Sequence, residues 1–168
     1  MFQRILILVI AIAGGLSTTA LAAPRVGETA PEVSAKTLDG QSFDLRALRG
    51  RVVVINVWAT WCGPCRQEMP ALDAIYRRTH ERGLDMIGLS ADKPRDQAKV
   101  RRVMAAFSYP AATADQTRAS GLTPSPSLPV TYVVDTAGRI RAILSGGPPL
   151  TANALEKVIT PLMEEARP

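Results

Sequence analysis

The stretch WATWCGPCRQEMP, residues 58–70, holds both cysteines of the chain, Cys62 and Cys65, three residues apart. It begins where the apolar, β-branched run RVVVINVW (51–58) ends. Such a run is expected of a central strand buried on both faces. After it, from Cys65 to His80, residues Met69, Leu72, Ile75 or Tyr76 and Thr79 recur at helical spacing. Gly83 supplies the stop. The cysteine pair therefore sits where a strand gives way to a helix.

Three chemistries suit a CxxC pair. A disulfide staple stabilises mainly by closing a loop in the unfolded chain, and the benefit grows with loop length. Cys62 to Cys65 closes about the shortest loop available, so a staple is a poor reading. Structural zinc wants four ligands, usually Cys or His. A second half-site is missing from the sequence, and His80, the only histidine, lies about four helical turns downstream. Copper(I) would accept two thiolates with Met, but Met69, Met86, Met104 and Met163 do not cluster in sequence. A redox couple remains. At or just before a helix N-terminus, unpaired N–H groups and the positive dipole end favour the thiolate of Cys62, the form that attacks a disulfide. Cys65, one turn inside and more buried, would resolve the mixed disulfide. Pro64 suits the first turn of the helix, and Gly63 lets a partner's backbone approach.

Working outward, Val33–Lys36 and Gln41–Phe43 flank Asp39-Gly40 and predict a short hairpin. LDMIGLS (84–90) reads as a second strand. Pro94 opens a helix, with Val100, Val103, Met104 and Phe107 on one face. Residues 108–127 read as a looser stretch. PVTYVVD (129–135) and RIRAILS (139–145) predict an antiparallel pair joined at Ala137-Gly138. A last helix starts near Thr151, a fair N-cap, with Leu155, Val158, Ile159 and Leu162 on one face. Pro161 falls inside it, where a kink is expected. This order implies an α/β fold, a central mixed β-sheet with helices on both faces.

The N-terminus reads as a secretory leader. Arg4 precedes the apolar run Ile5–Ile12, and Ala20-Leu21-Ala22 fits a small-x-small cleavage site. An uncleaved membrane anchor is the alternative, since Ile5 to Ala23 is about long enough to span a bilayer. Both readings place residues 23–168 outside the cytoplasm, in the periplasm. Removing residues 1–22 from the 168 leaves 146, one domain's worth, with 19 Lys and Arg against 15 Asp and Glu. The charges are scattered, without the basic and aromatic interleaving of a nucleic-acid surface.

WCGPC at 61–65, with Pro70 five residues on, resembles the thioredoxin active-site motif. The lead-in VGETAPEVSAKTLDGQSFDLRALRGRVVVINVWATWCGPC and SLPVTYVVDTAGRI (127–140) resemble the TlpA/ResA family of extracytoplasmic thioredoxin-like reductases. The resemblance implies a thioredoxin fold with an added N-terminal β-hairpin. It implies that Pro129 is a cis-proline packed opposite the cysteines, with Pro124 and Pro126 as competitors, and that Leu128 before it offers backbone bonds to a partner. It gives Glu68 a role in moving protons at the buried thiol. A nearby carboxylate raises a thiol's pKa and can accept its proton. Glu68 also reads as an acid placed near a helix N-terminus by the dipole. Asn56 stands where thioredoxins proper carry a buried acid, and it also reads simply as a core asparagine. Trp58 is expected in the core, and Trp61 on the partner-docking surface.

The Gly-Pro spacer favours a reductant. Thioredoxin lies at about −270 mV and the oxidant DsbA at about −120 mV, a gap worth roughly 7 kcal/mol. In an oxidising compartment such a dithiol needs recharging. The resemblance implies a membrane reductant of the CcdA or DsbD type as electron donor. An exported protein with a cysteine pair, such as apocytochrome c or a copper-insertion protein, would be the substrate. No cofactor beyond the Cys62–Cys65 couple, no metal and no nucleic acid are expected, and the expected assembly is a monomer. Two rivals stand beside this reading. One is a peroxiredoxin-like peroxidase, although INVWATWC lacks the proline of its P-x-x-x-T-x-x-C context. The other is a copper-binding or copper-donating module.

Overall fold

The computed structural model describes residues 23–119, 122 and 127–165. The leader at 1–22, Pro124 and Pro126 lie outside these residues. Eight strands and three α-helices are described: β1 (Val33–Lys36), β2 (Ser42–Asp44), β3 (Val52–Trp58), α1 (Gly63–Thr79), β4 (Leu84–Ser90), α2 (Gln97–Met104), β5 (Ala111–Thr113), β6 (Thr117–Ala119), β7 (Val130–Val134), β8 (Ile140–Ser145) and α3 (Ala152–Glu165).

The main sheet has the order β5-β4-β3-β7-β8. β3, β4 and β5 run parallel, and β7 and β8 are antiparallel to their neighbours, so the sheet is mixed. β3 lies at its centre, and all seven of its residues are buried. Its side chains alternate between two cores, as strand geometry requires. Val52, Val54 and Trp58 join Met69, Leu72 and Ile75 of α1, Val100 and Met104 of α2, and Leu155 and Ile159 of α3. Val53, Ile55 and Val57 face the other way, toward Val33, Ala35, Phe43 and Leu45. Each fully buried Val, Ile or Leu contributes roughly 1.5–3 kcal/mol, so this one strand anchors both layers.

The buried apolar residues of all three described helices belong to the first core. The expectation of helices on both faces is therefore met on one face only. The parallel crossovers explain this. β3-α1-β4 and β4-α2-β5 step in the same direction along the sheet, and right-handed connections then put both helices on the same face. Among the described residues, the opposite face is covered by a second sheet, β2-β1-β6. β1 and β2 form the predicted N-terminal hairpin. β6 completes it from the stretch read as loose, which also contains β5.

Helix boundaries follow local chemistry. α1 ends in a short 3-10 turn, His80–Arg82, and Gly83 at φ 107° closes it. Only glycine adopts that conformation without penalty. α2 stops at Met104, so Phe107 packs from beyond the helix rather than from its face. Thr151 caps α3, its hydroxyl accepting the Ala154 N–H at 3.2 Å. α3 continues through Pro161 as one helix. Pro161 and Lys157, whose carbonyl loses its partner, are both exposed, so water can serve that carbonyl.

The lead-in is pinned at one end of the main sheet. Gly27 N–H donates to the Ile140 carbonyl at 2.8 Å, Ile140 N–H to the Glu28 carbonyl at 2.9 Å, and Ala30 N–H to the Gly138 carbonyl at 2.9 Å. The β7–β8 turn there lies at the end of the sheet where β3 begins, away from Trp58.

Candidate functional site: a cysteine pair at the head of α1

β3 ends at Trp58, and after three intervening residues, 59–61, Cys62 is the N-cap of α1. Cys62 N–H donates to the Ala59 carbonyl at 3.1 Å, which folds the connection into a tight turn. The Cys62 sulfur accepts the Cys65 N–H at 3.1 Å. That bond satisfies one of the orphan donors at the head of a helix. Pro64 lies in the first turn and has no N–H to satisfy. The two cysteines are joined in a disulfide with Cα atoms 5.3 Å apart. Cys62 is 5% exposed and Cys65 fully buried. In the dithiol form, the helix N-terminus and the Cys65 N–H favour negative charge on the Cys62 sulfur.

Glu68 shares the buried face of α1 with Cys65 and is only 2% exposed. Its Oε1 accepts from Asn56 Nδ2 at 2.8 Å, and its Oε2 from Leu150 N–H at 3.3 Å. Asn56 Nδ2 also donates to Thr131 Oγ1 at 2.9 Å. Burial pushes the Glu68 carboxyl above its ordinary range, and the two hydrogen bonds oppose that only in part. Asn56 interrupts the apolar face of β3 at the point where α1 crosses, so its amide reaches the carboxylate. Pairing between these two polar residues was not legible in the sequence, where each stands alone.

A cleft of about 270 Å³ opens beside the pair, with Pro64, Glu68, Pro129, Ser145 and Leu150 on its walls. The Leu128–Pro129 peptide bond is cis. Leu128 is half-buried and packs against both cores. Trp58 is fully buried, whereas Trp61 is 71% exposed beside Cys62. Gly63 is exposed, and a Cβ there would meet nothing within 4 Å. The structure thus sets the exposed residues Trp61, Gly63 and Pro64 on one turn with the nearly buried Cys62, and puts Pro64 and Pro129 on the shared cleft. His80 caps the far end of α1 against the Tyr76 ring and is remote in sequence from this turn.

Residues 26–143 match the family described as the AhpC/TSA family. The protein is similar to the thiol-disulfide oxidoreductase ResA of Halalkalibacterium halodurans, 31% identical over 147 residues, covering 84% of this chain and 80% of the relative. The chain belongs to the AhpC/TSA family, on its ResA-type thiol–disulfide oxidoreductase branch. A ResA of Bacillus cereus is 30% identical over 116 residues, 69% of this chain and 67% of that one. In three dimensions, the ResA-type chain overlays a thiol:disulfide interchange protein of the thioredoxin family from Chlorobium tepidum. The TM-score is 0.68 at 22% identity, covering 84% of this chain and 99% of the other. That likeness establishes the thioredoxin fold. The ResA-type chain is an enzyme of the thiol–disulfide oxidoreductase class. Among its described residues no helix is long and apolar enough to cross a membrane.

Proposed function

We propose that this protein reduces disulfides in exported proteins, outside the cytoplasm. The observation that carries the reading is the placement of the Cys62 sulfur. It caps α1 and accepts the Cys65 N–H, with Cys65 buried directly behind it.

The reaction follows from that placement. The Cys62 thiolate attacks one sulfur of a target disulfide. The target S–S bond breaks, its second sulfur leaves as a thiolate that takes a proton, and a mixed disulfide forms. Cys65 then loses its proton and attacks the Cys62 sulfur. The mixed disulfide breaks, the target leaves as a dithiol, and Cys62–Cys65 is oxidised. Two electrons have passed to the target. Glu68, on the same buried face as Cys65, is the group for that second proton. Its raised pKa brings it closer to that of a thiol, and proton exchange is easier when the two match. Trp61, Gly63, Pro64, Leu128 and Pro129 form the surface that receives the target.

A membrane reductant of the CcdA or DsbD type returns the electrons, and the targets are cysteine pairs such as those of apocytochrome c or copper-insertion proteins. The leader-like residues 1–22 support export. The peroxidase rival gains no support here, since the disulfide partner of Cys62 is only three residues away.

Equilibration with glutathione tests the direction. A potential near that of thioredoxin, about −270 mV, is expected, and a value near about −120 mV overturns the reductase reading. A Cys65→Ser variant should stall as the mixed disulfide and identify the target. Tight Cu(I) binding with no insulin-disulfide reduction would favour the copper module instead.

A further inference from the structure

Asp92 lies just beyond β4 and is 4% exposed. Three donors converge on its carboxylate. Thr60 N–H reaches Oδ2 at 2.8 Å, the Thr60 hydroxyl reaches Oδ1 at 2.6 Å, and the Ser90 hydroxyl reaches Oδ2 at 2.8 Å. Asp92 N–H donates back to Ser90 Oγ at 3.1 Å. Beside it, Ala91 N–H donates to the Trp58 carbonyl at 2.8 Å. A buried carboxylate is unfavourable unless its lone pairs are engaged, and here each oxygen takes at least one donor.

The β3–β4 ladder ends at Trp58 and Ser90, so the grip on Thr60 lies outside the sheet. It holds the connection between β3 and α1. That connection is four residues long, 59–62, and its last residue is Cys62. Trp61, between Thr60 and Cys62, is exposed and makes no comparable anchor of its own. Hydrogen bonds to both the backbone and the side chain of one residue fix its position and its orientation.

We propose that Asp92 is a positioning residue for thiol–disulfide exchange. By clamping Thr60 it sets the turn that holds Trp61 outward and keeps Cys62 at the head of α1. Its hydrogen bonds go to Thr60 and Ser90, and it acts through them. The proposal rests on the reading of Cys62 as the attacking sulfur.

The test compares Asp92→Asn with Asp92→Ala in the reduced, full-length protein. Both variants lack the negative charge. Only Asn keeps a carbonyl oxygen able to accept from Thr60. The readout is the rate of Cys62 alkylation by iodoacetamide at mildly acidic pH. There, each unit of thiol pKa changes the thiolate population about tenfold. Asp92→Asn is expected to react about threefold to tenfold faster than Asp92→Ala. Equal rates in the two variants overturn the proposal, whatever their melting temperatures. Thr60→Val, which removes one donor and keeps the backbone N–H, should also slow alkylation and loosen the Trp61 indole in fluorescence anisotropy. If Asp92→Ala does not fold, Thr60→Val decides alone, and unchanged rate and anisotropy overturn the proposal. The wild-type control separates the two claims. A wild-type Cys62 no more reactive than a free cysteine sinks the attacking-sulfur reading and this one with it. A reactive wild type with matching variants sinks only the role of Asp92.

Discussion

Asn56 Nδ2 donates to Glu68 Oε1 at 2.8 Å, joining the centre of β3 to the first turns of α1 inside the core. The bond ties the carboxylate to the strand that ends at the redox turn. It also keeps the carboxylate on the buried cysteine face from turning outward to water.

Glu68 makes stability depend on pH in a defined direction. Its folded pKa is raised by burial, so the folded protein holds this proton more tightly than the unfolded chain does. The resulting stability is whole below the unfolded value, about 4.3, and is lost as pH rises through the raised value. Glu68→Gln carries no charge and escapes that loss. Its stability relative to the wild type should therefore rise between pH 4 and pH 8, even though its amide NH2 faces one of the two donors, Asn56 Nδ2 or Leu150 N–H, that the carboxylate accepts. Urea denaturation at the two pH values measures this, and a gap independent of pH contradicts it.

Trp61→Ala should separate docking from folding. The side chain is 71% exposed, and a substitution at such a site changes stability by about 0.5 kcal/mol or less. With a protein disulfide as substrate, KM should rise. With a small disulfide such as oxidised glutathione it should change far less. Equal losses with both substrates would show that Trp61 is not a docking residue.

Gly88→Ala should destabilise the protein despite adding only one methyl. An added Cβ would lie 3.0 Å from Trp58 Nε1 and 3.2 Å from Tyr109 Cε2, both on buried rings. Rigid aromatic neighbours have little room to yield, so a loss of about 1–3 kcal/mol is expected. Chemical denaturation gives the size, and the near-ultraviolet circular dichroism of Trp58 should change with it.

Thr151→Ala should weaken α3 by about 0.5–2 kcal/mol through loss of its cap. Thr151→Asn or Thr151→Asp should restore most of it. Thermal melts of the three variants provide the comparison.

Much of this molecule could be read from local pattern. The continuous apolar run of β3, the helical stripe Met69–Leu72–Ile75 and the β7–β8 pair each carry a local pattern that survives folding. β5 and β6 did not show, because three residues cannot display an alternation and their identity as strands comes from partners far away in sequence. The cysteine pair was legible because its two members are close in sequence. The partners of Glu68 were not, because Asn56 and Leu150 come from separate segments, and Thr131, which shares the Asn56 amide, comes from a third. Asp92 gave no signal for the same reason. It stands between the strand read at 84–90 and the helix opened by Pro94, and nothing there points to Thr60.

The pinning of Gly27 and Ala30 to the β7–β8 turn fixes which way the protein faces. The lead-in that begins at residue 23 is held at the pole where β3 begins, and the disulfide lies at the pole where β3 ends. Seven strand residues separate the two, roughly 20 Å or more. A bilayer, a bead or a fused tag attached at that end would leave the Cys62 turn on the opposite side of the protein, free to meet large clients approaching from there.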